Sequence, residues 1–102
     1  MAVGPNDVPF TQYRRPHGRQ QSIWITRSAP MAALARQVLS QGYHFDAEEL
    51  VTGDVSLTVE PDDDGRDEFG PIAHVIVPNG PDVPNAVDFL VTSAAEYLKI
   101  PV

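Results

Sequence analysis

Residues 43–60, YHFDAEELVTGDVSLTVE, leave the chain little conformational choice. Val55, Leu57 and Val59 alternate with polar residues, and so do Tyr43, Phe45 and Ala47. Period-two patterning of this kind marks strands with one buried face. Opposed residues of an antiparallel pair point the same way, so loop length is tied to the faces. A two-residue turn, Thr52-Gly53, sets Leu57 against Glu48 and mismatches them. A three-residue loop, Val51-Thr52-Gly53, sets Leu57 against Ala47 and Val59 against Phe45, and the faces agree. It also puts Gly53 at the left-handed position that a type I turn with a glycine bulge requires. The same register places His44 opposite Glu60, Asp46 opposite Thr58 and Glu48 opposite Ser56, on the polar face.

A half-buried hairpin needs a cover, and two stretches have helical period. Met31, Leu34, Ala35, Val38 and Leu39 follow i, i+3, i+4, i+7, i+8. Ser28 is the expected N-cap, Pro30 falls in the first turn, and Gly42 is the left-handed residue past the end. Val83, Val87, Leu90, Val91, Ala94 and Leu98 form a second stripe, with Asp82 as cap, Pro84 in the first turn and Pro101 as the stop.

The remaining segments read as strands. PFTQYRR and QQSIWITR flank a turn set by Pro16 and Gly18, with Ile23 and Ile25 on one face and Trp24 and Thr26 on the other. In PIAHVIVP, Ala73, Val75 and Val77 oppose Ile72, His74 and Ile76. Both faces are largely apolar, which predicts a central strand or one with a covered outer face. Residues 1–8 have no period and read as a flexible tail. The expected fold is an α+β two-layer sandwich over residues 9–102. Its order is β-β-α-β-β-β-α, with a mostly antiparallel sheet and both helices on one face.

Composition narrows function further. The 102 residues contain no cysteine, which excludes disulfides, thiolate metal sites and a cysteine nucleophile. The net charge of −7 disfavours nucleic acid and anionic lipid. It is unevenly spread: residues 1–36 carry +4 and residues 37–102 carry −11. No stretch is long and apolar enough to span a bilayer. The N-terminus lacks the pattern of a secretory signal, so the cytoplasm is the expected location.

Several groups are candidates for function. Arg14, Arg15, His17 and Arg19 surround one turn, with Tyr13 and Trp24 near them in the pairing. Arginine beside aromatics is an anchor for phosphate, nucleic acid or an acidic protein. His44, Asp46, Glu48 and Glu60 share the polar face of the middle hairpin, a donor set for a divalent metal or for acid–base chemistry. An antiparallel sheet also shows water one polar face without any site. Residues 61–69, PDDDGRDEF, read as an exposed acidic loop. Aligned on Gly65, they would put Pro71 where a calcium loop needs glutamate. Asn79-Gly80 before the last helix is a rigid corner and no phosphate loop, since Asp82 competes for the helix amides. Phe89 lies off the apolar stripe, among Asn85, Asp88, Thr92 and Glu96. With Ile72, His74 and Ile76 it is a candidate oligomer interface.

Three segments carry a resemblance: PFTQYRRPHGR (9–19), LVTGDVSLTV (50–59) and VPNGPDVPNAVDFL (77–90). Together they resemble a group of short hypothetical proteins encoded in bacterial genomes, phages and other mobile elements. The similarity covers about residues 9–98. That group has no assigned activity, so the resemblance implies a compact accessory protein and no catalytic residue. Phe89 stands where it implies a polar or basic residue. Separately, the order α-β-β-β-α from residue 29 onward is similar to that of double-stranded-RNA-binding domains. Those domains need basic residues at the start of the last helix, where this chain has Asp82 and Asp88.

The expectation is a non-enzymatic binding or adaptor module without a cofactor. Its partners would be a second copy of itself and another protein. Nucleic-acid binding through the arginine hairpin is the second reading. A metal-assisted enzyme using the His44/Glu60 face is the third.

Overall fold

The computed structural model describes residues 4–14, 18–62 and 70–101, with the backbone alone for 11–14 and 18–22. The elements are β1 (Asp7–Arg14), β2 (Gly18–Ile25), α1 (Ala29–Ser40), β3 (Tyr43–Glu49), β4 (Asp54–Pro61), β5 (Ala73–Pro78) and α2 (Val83–Leu98). This is the α+β order expected. No helix among the described residues is long and apolar enough to cross a membrane.

The β3–β4 hairpin has the register that its faces demand: Phe45 pairs with Val59, Ala47 with Leu57 and His44 with Glu60. Leu50 N–H donates to Asp54 O and Gly53 N–H to Leu50 O, which closes the loop. Gly53 has φ +91°, a backbone conformation that costs a side-chain-bearing residue about 1–2 kcal/mol. Helix α1 also follows its signals. Ser28 Oγ accepts from Met31 N–H, proline sits in the first turn, and Gly42 has φ +91°.

The sheet order is β2-β1-β3-β4-β5. β1 and β3 run parallel, with Phe10 beside Phe45, while the other neighbours are antiparallel. The sheet is therefore mixed. The cause is the crossover through α1, which sets β3 against the far side of β1 instead of against β2. Helix α2 touches both β5 and β2, the two ends of the strand order. The sheet curls around the helices as a half-barrel and is not a flat layer.

One core joins the elements. Val8, Phe10, Phe45, Leu57 and Val59 from the sheet meet Ala35 and Val38 of α1 and Val87, Leu90 and Val91 of α2. Phe10 lies 5.2 Å from Phe45 and 6.1 Å, edge-on, from Trp24 between ring centroids. Aromatic pairs in this range add about 0.5–1.5 kcal/mol beyond burial.

Three further expectations need correction. β1 begins inside the stretch read as a tail: Asp7 pairs with Ile25, and Val8 is fully buried. Pro9 does not end the strand, because the doubly paired part of β1 starts only at Phe10. β5 is an edge strand and not a central one. Its second apolar face splits, with Ile72 packing on the core while His74 and Ile76 are exposed. Asp82 occupies the N-cap position of α2, yet its side chain makes no capping bond. Its helical backbone, φ −84° and ψ −6°, is not the extended geometry that aims a cap side chain at the first amides.

Candidate functional site: the open face of the sheet

Both helices contribute to the core on the buried face of the sheet. The opposite face carries Ile23 and Ile25 on β2, His44, Asp46 and Glu48 on β3, Ser56, Thr58 and Glu60 on β4, and His74 and Ile76 on β5. Ile25 is 55 % exposed and Ile76 52 %. Both lie on the edge strands, so the face is apolar at its margins and polar in its middle.

The polar middle is assembled by the ladder. His44 and Asp46 are two apart on β3, and Glu60 is the cross-strand partner of His44. His44 Nε2 lies 3.2 Å from Asp46 Oδ2 and 3.7 Å from Glu60 Oε1. His44 Nδ1 donates to Asp62 Oδ1 at 2.8 Å. One donor atom from each of His44, Asp46 and Glu60 falls within 4.8 Å of the others, and all three residues are half-buried. Asp46 and Glu60 also make further interactions.

Glu48 is exposed and stands outside this cluster, opposite Ser56. Asp62, which the sequence places in the acidic loop, stands next to the ring. Asp62 N–H donates to Gly42 O at 2.9 Å, so strand-like pairing continues past Pro61. Extending the β3–β4 register by one more pair, with the same alternation as Glu60, would have placed it.

The remaining candidates are scattered. In the first hairpin, Tyr13 pairs with Arg19 and Arg14 with Gly18 along the backbone. Arg15 and His17 lie outside the described residues, as do the side chains of Tyr13, Arg14 and Arg19. Trp24 is half-buried and packs on the core, so it does not belong to a surface patch. Its Nε1 is buried without a hydrogen-bond partner among the described residues. Ile72 likewise packs on the core. His74 Nε2 and Ser56 Oγ lie 2.9 Å apart, away from the His44 cluster.

Phe89 is 59 % exposed, but it lies on α2, in the helical layer, and does not join Ile76. Two aspartates flank the first turn of α2, which holds no acidic residue itself. Asp82 is exposed, Asp88 accepts from the Arg27 backbone N–H, and Asn85 accepts from the Arg27 guanidinium. An apolar recess of about 230 Å³ lies beside α1, lined by Ser28, Pro30, Met31, Leu34, Gln37 and Pro101, among others. The part of the acidic loop at residues 63–69 lies outside the described residues.

Compared with protein-family models, curated proteins and solved structures, the chain shows no significant match.

Proposed function

We propose that the protein is a small non-enzymatic binding module that associates with a second copy of itself through the outer face of β5 and its outer edge, which no strand among the described residues pairs. In that role it is an accessory protein of the mobile-element kind that its sequence resembles. One observation carries this reading: β5 ends the sheet and exposes Ile76 on the face away from the helices. An exposed apolar residue on an edge strand combines unpaired backbone groups with surface that gains from burial. Proteins that stay monomeric tend to blunt such edges with lysine or inward charge. β5, AHVIVP, has neither, and its one proline stands at its last residue, beyond Ile76.

The test is sedimentation velocity of the full chain from low to high micromolar concentration. A dimer at twice 11.1 kDa, forming as concentration rises, supports the reading. A strict monomer throughout removes it. The RNA reading has the α1-β3-β4-β5-α2 order in its favour and Asp82 and Asp88, where basic residues are needed, against it. Absence of duplex-RNA binding at low salt ends it.

A further inference from the structure

The hydrogen-bond ladder fixes which backbone groups the edge of β5 presents. Leu50 N–H donates to Asp54 O and Asp62 N–H to Gly42 O, so the even-numbered residues of β4 point their backbone groups at β3. Antiparallel bonding alternates, so Val55, Leu57 and Val59 turn theirs toward β5, where they meet Val77, Val75 and Ala73. Asn79 N–H donates to Gly53 O in the same phase. His74 and Ile76 therefore aim both N–H and C=O outward, where no strand among the described residues lies. On either side the pattern stops. Ile72 N–H turns inward to Val59 O, and Pro78 has no N–H.

We propose, on the basis of the self-association read above, that two copies join by antiparallel pairing of β5 with β5 about a two-fold axis beside Val75, with His74 of each copy opposite Ile76 of the other. A two-fold contact sets the same patch of both copies face to face. In this register His74 and Ile76 exchange N–H···O bonds with Ile76 and His74 of the second copy, so every outward donor and acceptor of the two residues is paired. The flanking registers fail. Opposing Ile76 to Ile72 leaves Ile76 O without a donor, because Ile72 N–H is spent on Val59 O. Opposing His74 to Pro78 leaves His74 O without one. A second copy also suits the side chains. Ile76 meets the imidazole of the second copy on the open face, and the half-buried Val75 meets its own counterpart on the core face. β5 holds no Asp, Glu, Lys or Arg, so two strands of a chain with net charge −7 meet without opposed like charges.

The test follows amide exchange of the unaltered chain by NMR as concentration rises, beside oxidation of single-cysteine variants, for which a chain without cysteine is a clean background. Once about nine-tenths of the chain is dimeric, the His74 and Ile76 amides should exchange about tenfold more slowly, because only the monomeric tenth is open. Val75→Cys should form a disulfide-linked dimer at least about tenfold faster than His74→Cys or Ile76→Cys, since facing residues of a non-hydrogen-bonded pair lie within disulfide reach and diagonal ones do not. A mass that never rises with concentration removes self-association and this pairing together. A dimer whose His74 and Ile76 amides exchange as fast as in the monomer overturns the pairing alone. Fastest cross-linking in His74→Cys or Ile76→Cys overturns the register. Circular dichroism confirms that each variant is folded. If Val75→Cys is not, an Hα–Hα contact at Val75 between isotope-labelled and unlabelled copies decides the register, and its absence overturns it.

Discussion

Leu57→Ala tests the register on which the open face depends. Leu57 is fully buried, opposite Ala47 on β3 and Val75 on β5. Truncation removes three carbons from the core, worth about 0.8 kcal/mol each and about 2.4 kcal/mol together. The space left adds about 24 cal/mol per Å³ to the extent that the neighbours fail to close in. Ala47 is too small to fill it from β3, and β4 is held on both sides by its ladders. The expected loss is therefore about 3–4 kcal/mol. At an m-value of about 1–1.5 kcal/mol/M, the urea midpoint falls by about 2–4 M. Ser56→Ala, one residue away on the open face, should change stability by less than about 0.5 kcal/mol. A one-residue slip exchanges the two faces of the strand. A Leu57→Ala loss below about 1 kcal/mol, or a Ser56→Ala loss larger than it, would refute the register.

Three further predictions concern the helix ends. Ser28→Ala should cost about 1 kcal/mol by chemical denaturation, because Ser28 Oγ accepts the Met31 amide. Asp82→Ala should fall near neutral in the same assay, since Asp82 makes no capping bond. Lys99, at φ +59°, is the non-glycine residue with left-handed backbone among the described residues. Lys99→Gly relieves that strain at some cost in unfolded-chain entropy, for a net gain of about 0.5–1 kcal/mol. A melting temperature a few degrees higher is the expected reading.

Local chemistry made much of this structure legible in the sequence. The β3–β4 register follows from Phe45, Ala47, Leu57 and Val59 needing one face and Gly53 needing a left-handed turn. Helix α1 follows from Ser28, Pro30, its apolar stripe and Gly42. The illegible parts are those decided by distant neighbours. Nothing in β1 announces that it will pair in parallel with β3, because that choice is made by the path of α1. The two apolar faces of β5 read the same for a central strand and for an edge strand that exposes Ile76. Trp24 sits near the arginine turn in sequence, but its register opposite the buried Val8 sets it on the core face, against Phe10. In the His44 cluster, His44, Asp46 and Glu60 were visible from the register. Asp62 was hidden because Pro61 looks like a strand end, while pairing with Gly42 carries the strand one step further.

The most direct test of the binding account compares Ile76→Asp with Phe89→Asp by sedimentation equilibrium, each beside the unaltered chain. Both residues are exposed and apolar, but they belong to different layers. The account predicts that Ile76→Asp gives a monomer and Phe89→Asp leaves the dimer intact. Dissociation by Phe89→Asp alone, or an unchanged mass in both variants, would contradict it.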